Sequence, residues 1–215
     1  RNIYSLKNNS VRSIYIDRQG AYWVGLLRGG VNRFDRNLAL FDYQQSNVYD
    51  PQGLKSPIVT SFAQYADNLF FVGTEEGGLQ LFDCVNRSFK TFEILPKDHK
   101  EGKKLSVLSL KSGRDGHLWI GTYQDGLFLL EPGSKRYKQF FNENDKGTIS
   151  ENVVFCIEED QQGNIWAGTN GKGVTIYNPQ TGFVKRYGKV TDVRNKKELP
   201  LNGFIRAISE TAAGE

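Results

Sequence analysis

An all-β fold, a run of β-propeller blades, is predicted by a thirteen-residue phrase that comes round four times. It spans Trp23–Asp35, Phe71–Asp83, Trp119–Glu131 and Trp166–Asn178, so its aromatic leaders stand 48, 48 and 47 residues apart. Short apolar stretches and glycine turns fill each period, and a period of that length built from strands is the mark of propeller blades.

The repeats align the chain with itself. Val11, Val59, Val107 and Val154 stand twelve residues before the leaders; Ile14, Phe62, Leu110 and Ile157 stand nine before. These positions make a first strand. Three before the leaders come Gly20, Asn68, Gly116 and Gly163, a turn set expected to need positive φ. The leader opens a second strand, which carries Gly25, Gly73, Gly121 or Gly168 two residues on. A glycine inside a strand marks a close approach by another group. Gly30, Gly78, Gly126 and Gly173 then turn the chain into a third strand, and Phe41, Phe89, Tyr137 and Phe183 mark a fourth. Four short antiparallel strands per unit follow from this pattern.

The expected divisions are a leading strand or linker at 1–10, blades at 11–46, 57–95, 105–141 and 152–188, and the start of a fifth at 203–215. Ile205, Ile208 and Gly214 are in phase with a leader at position 217, two residues beyond Glu215. The expectation is therefore four full blades plus the start of a fifth, part of a seven-bladed ring of about 330 residues. A four-bladed ring closed by residues 1–6 or by the tail is the alternative. The first residue is Arg1 and there is no methionine, which fits an excised or processed segment.

Composition narrows the function classes. With 38% hydrophobic and 13% aromatic residues in 215, the chain can bury a core and is not of disordered composition. No apolar run approaches the roughly 20 residues of a membrane span, so direct membrane insertion by this segment is not expected. The formal charge of +4 is mild, and the basic clusters at 97–104, 185–189 and 194–197 are interrupted and lie between repeats. They read as solvated loops, not as a nucleic-acid patch. Cys84 and Cys156 occupy non-equivalent repeat positions, so a disulfide is not expected.

Catalytic and metal chemistry find little support. His99 and His117 have no carboxylate, Cys or second His at ligand spacing, and no hydrolase, zincin or nucleotide-loop motif occurs. Gly168–Gly173 imitates a phosphate loop but falls on the blade turn. Asp17 and Asp160, six before their leaders, read as turn caps rather than catalytic acids. No catalytic residue, metal site or cofactor is therefore expected.

Variation within the repeat points to binding. The turn between the second and third strands changes in every copy, while the positions around it do not. In a propeller these turns share one rim with the inter-blade linkers, and a fixed scaffold with variable tips is how a binding face is built. The candidate ligand-binding residues are Arg28, Glu76, Tyr123, Gln124, Asp125, Asn170 and Lys172. Their polar groups suit sugar hydroxyls, with Tyr123 stacking on a ring.

The pattern Val-x-x-Ile-x-x-Asp-x-x-Gly-x-x-Trp-Ile-Gly-Thr-x-x-x-Gly-Leu, best kept in Val11–Val31 and Val154–Val174, resembles the two-component regulator propeller repeat. Blade one has Leu26 where the family has Thr, blade two has Phe71 for Trp, and blade three has Gly113 for Asp. The resemblance implies the periplasmic sensor of a hybrid histidine kinase of the kind found in Bacteroidetes, anchored in the inner membrane elsewhere in the parent protein. It implies a non-catalytic segment responding to an oligosaccharide, whose other partners are the remaining blades and domains of the sensor and a second copy in a homodimer. A protein-interaction propeller without a small ligand is one alternative, and a propeller-fold polysaccharide lyase or glycosidase is another.

Overall fold

The structure, a computed structural model, describes residues 6, 10–27, 30–34, 44–97, 104–131, 133–134, 136–143, 149–182, 184–192, 197–200 and 203–212. Among them the regular structure is all strand, without a helix. The chain divides into two compact units, residues 1–44 and 45–215.

The first unit holds one antiparallel sheet of β1 (Val11–Ile16), β2 (Tyr22–Leu26) and β3 (Gly30–Phe34), in that order. The fourth strand expected around Phe41 lies outside the described residues.

The second unit contains three successive four-stranded meanders. They are β4 (Val59–Ala66), β5 (Leu69–Thr74), β6 (Gly78–Asp83) and β7 (Ser88–Phe92); β8 (Val107–Ser112), β9 (Leu118–Thr122), β10 (Leu127–Leu130) and β11 (Tyr137–Phe140); and β12 (Val154–Glu159), β13 (Ile165–Thr169), β14 (Val174–Tyr177) and β15 (Val184–Tyr187). Each sheet pairs in sequence order, and the first strands β4, β8 and β12 lie next to one another. The sheets are propeller blades, with their first strands innermost.

Two of the three buried clusters lie between blades, and the third, Leu54, Val72 and Phe89, joins one blade to the loop that leads into it. Phe71, Leu79 and Ala63 of one blade pack with Val107, Ile120 and Phe128 of the next. Trp119, Leu127 and Phe140 then pack with Val154, Ile165 and Tyr177 of the blade after that. Each strand shows one face to each neighbouring blade, so alternate residues on both faces become apolar.

The strand-two glycine is explained by this stacking. A Cβ on Gly73 would stand 2.5 Å from Ser61 Oγ and 2.6 Å from Val107 Cγ1. On Gly121 it would stand 2.3 Å from Ser109 Oγ and 2.9 Å from Val154 Cγ1, and on Gly168 2.5 Å from Cys156 Sγ and 2.7 Å from Ile205 Cγ2. The close approach is thus by a small polar side chain of the same blade and the first-strand apolar residue of the next. Ile205 occupies the place of Val107 and Val154, as its phase requires.

Two details differ from expectation. Gly20, Gly116 and Gly163 take φ of 84, 81 and 81°, but Asn68 is not among the residues of positive φ. The β4–β5 hairpin shifts register between Gln64 and Ala66 and closes through Ala66 opposite Leu69, so it needs no left-handed residue there. Residues 189–200, read as a solvated linker, contain a hairpin of β16 (Lys189–Asp192) and β17 (Lys197–Pro200). The basic residues concealed a β-branched pair, Val190 and Thr191, that favours a strand.

Candidate functional site

The turn from second to third strand is built the same way in each blade of the second unit. The hydroxyls of Thr74, Thr122 and Thr169, all fully buried, donate to the carbonyls of Gly78, Gly126 and Gly173 at 3.0, 2.7 and 2.8 Å. That bond supplies the physical reason for the threonine of the repeat. The turn then needs two left-handed residues. One is the expected glycine, and the other lies two residues earlier, at Glu76 (φ 57°), Gln124 (φ 74°) and Gly171 (φ 87°). Glycine adopts that conformation freely, whereas Glu76 and Gln124 are held there at about 1 kcal/mol or more each.

Inter-blade linkers lock the turns from the other side. Glu75, Tyr123 and Asn170 donate main-chain N–H groups to the carbonyls of Ile58, Ser106 and Val153. Gly78 and Gly126 donate to Leu105 and Asn152 of the following linker at 3.0 and 2.9 Å. Ser106 Oγ also accepts from Glu76 N at 3.0 Å, so one linker residue ties the tips of two blades. Turns and linkers do form one rim, and its backbone is preorganised.

On that rim Glu76, Tyr123, Gln124 and Lys172 are exposed, Tyr123 at 48%, and Asn170 is half-buried. Asp125 is not an exposed tip. It is 3% exposed, its N–H donates to Thr122 Oγ1 at 3.1 Å and its carbonyl accepts from Gln139 Nε2 at 2.9 Å. The left-handed Gln124 before it turns the chain inward, so Asp125 closes the turn and is buried. Arg28 lies outside the described residues, as does His99.

The structure adds three residues that the repeat pattern did not single out. Asn170 forms a β-bridge with Phe204, placing that ring, 64% exposed, beside the blade-four tip. The guanidinium of Arg206 lies 3.8 Å over the Phe155 ring and 5.5 Å from that of Phe204. Phe155 and Arg206 hold the same inner-strand position in successive repeats, filled elsewhere by Arg12, Thr60 and Leu108. That variability, between an apolar residue before it and one two after it, was the available signal.

The opposite ends of the inner strands are occupied by scaffold bonds. Lys111 Nζ pairs with Glu158 at 2.5 Å, Arg114 N donates to Glu159 Oε2 at 2.9 Å, and Gln161 N donates to Glu210 Oε2 at 2.8 Å. The turn aspartates are caps. Asp17 accepts from Gln19 N, Ala21 N and Trp23 Nε1. Asp160 accepts from Gln162 N, Asn164 N, Asn164 Nδ2 and Trp166 Nε1 at 2.7–3.0 Å. Aspartate and tryptophan therefore go together in blades one and four, and where Phe71 replaces the indole the aspartate is replaced by Tyr65.

Burial alone would raise the Asp160 carboxyl. The donors on Trp166, Asn164 and Gln162 outweigh it, so the carboxyl titrates below its ordinary value of 3.8. A depressed folded-state value means that the stabilisation is present above the unfolded value and is lost as pH falls through the folded one. Asp160→Ala is expected to cost about 2–3 kcal/mol at pH 7. In denaturant titrations that difference should shrink progressively below about pH 4.

With this geometry in place, likeness to known proteins can be stated. Residues 5–27 and 148–171 match the two-component regulator propeller family. These two stretches are two-component regulator propeller repeats. Histidine kinase P4 of Formosa agariphila is 28% identical over 203 residues, 93% of this chain but 14% of that protein. The extracellular domain of the candidate hybrid two-component system BT4673 from B. thetaiotaomicron superposes with a TM-score of 0.59 at 23% identity, over 96% of this chain and 25% of that one. For that of BT3049 from the same organism the TM-score is 0.58 at 23% identity, over 98% and 32%. The chain thus spans a third or less of the length of each of these proteins, and the superpositions establish the fold.

Proposed function

We propose that this chain is part of the extracytoplasmic sensor of a hybrid two-component histidine kinase, and that an oligosaccharide engages the rim carrying Glu76, Tyr123, Gln124, Asn170 and Lys172. The observation that carries this reading is the rim itself. Buried threonines and linker carbonyls fix the backbone of successive turns, while the exposed side chains on them differ from blade to blade. The regulator-propeller repeats and the likeness to a histidine kinase support a signalling context. The segment acts without catalysis. Ligand held across turns of neighbouring blades favours one arrangement of the sensor, and differential affinity for that arrangement biases the distant kinase.

Calorimetry of the full chain against a glycan panel tests this. A binding oligosaccharide should lose about tenfold or more in affinity, roughly 1.4 kcal/mol, with Tyr123→Ala and with Asn170→Ala. A folded protein that binds no glycan, or binds one with both variants unaffected, removes the rim from sensing. Concentration-dependent self-association would then point to a dimerisation role.

A further inference from the structure

Resting on the oligosaccharide reading above, we infer that the blade-four sector of the rim is specific for an acidic sugar, with Arg206 receiving its carboxylate or sulfate and Phe204 stacking on its ring. Three observations converge. The Arg206 guanidinium lies over the Phe155 ring at 3.8 Å, a contact that holds the cation against the aromatic face. Among the described residues no carboxylate pairs with Arg206. Finally, Phe204 is 64% exposed, with its ring centroid 6.2 Å from that of Phe155 and its backbone paired to Asn170.

The chemistry follows from these positions. A planar guanidinium binds carboxylate or sulfate through two parallel N–H···O bonds, a geometry that a flexible ammonium does not match. The electron-rich face of Phe204 suits the C–H face of a pyranose. Asn170 stands on the adjoining turn to meet hydroxyls. The scaffold does not require arginine at this position, because Thr60 and Leu108 serve in the same place in blades two and three.

The test uses the full chain, with α-1,4-trigalacturonate, its neutral counterpart α-1,4-galactotriose, a sulfated heparin-type disaccharide and a pentaglutamate peptide as probes. One acidic saccharide is expected to bind at least tenfold more tightly than the neutral trisaccharide, with affinity falling as salt rises. Arg206→Gln should abolish that preference, Arg206→Lys should keep only part of it, and Phe204→Ala should weaken both saccharides. Trigalacturonate carries carboxylate alone, so binding of the heparin disaccharide without binding of trigalacturonate points to sulfate. The inference is overturned if the acidic preference survives Arg206→Gln, or if pentaglutamate binds as tightly as the sugar. Should Arg206→Gln fail to fold, an unreduced preference in Arg206→Lys or a salt-independent affinity has the same force. Binding of galactotriose alone, lost in Asn170→Ala, overturns the acidic specificity and leaves the sensor reading standing. Binding of no saccharide overturns both.

Discussion

Trp119→Ala is expected to destabilise the protein by about 3–5 kcal/mol, the range for deleting a buried indole. Trp119 is 1% exposed, and it touches Phe140 of its own blade and Tyr177 of the next, with ring centroids 5.6 and 5.8 Å away. Alanine would leave a cavity at the seam between two blades. Neither sheet can collapse into it without losing its hold on the other. Chemical denaturation read by tryptophan fluorescence and circular dichroism measures the loss. Trp119→Phe supplies the contrast. Blade three has Gly113 where Asp160 binds the Trp166 indole, so Trp119→Phe forfeits volume but no aspartate bond. A cost below about 1 kcal/mol for Trp119→Ala would mean that the inter-blade layer is not a packed core.

Gly121→Ala should cost about 3 kcal/mol, although it adds a single methyl. Its Cβ would stand 2.3 Å from Ser109 Oγ, 2.8 Å from the Val154 carbonyl oxygen and 2.9 Å from Val154 Cγ1. The serine can rotate, but the carbonyl belongs to the backbone of the neighbouring blade and cannot. The double variant Gly121→Ala with Ser109→Ala should therefore recover only part of the loss. Gly20→Ala is the control: nothing lies within 4 Å of its Cβ, and only the φ of 84° opposes alanine, at about 1–2 kcal/mol. Equal costs at the two glycines would show that conformation, not blade contact, selects glycine in the second strand.

The candidate rim was half legible. Its turns stood out because they vary against a constant frame, and their shared rim follows from antiparallel strand order alone. Burial of Asp125 did not, because it depends on the left-handed conformation of Gln124, and glutamine does not announce that conformation in sequence. Phe204 and Arg206 were missed for another reason. They stand in the segment that follows blade four and meet Asn170 and Phe155 only when that segment docks on the blade.

The sequence by itself determined the all-β propeller class, the blade period, the strand order within a blade and the capping role of Asp17 and Asp160. Each is a local matter of alternation, turn chemistry or hydrogen bonding over a few residues, and four copies made the pattern visible. Only the tertiary structure decided which neighbour the second-strand glycine accommodates, that two of the three buried clusters lie between blades, and which side chains gather at the rim. Those depend on contacts between residues some 35 to 50 positions apart in the chain, where spacing gives the phase but not which atoms meet.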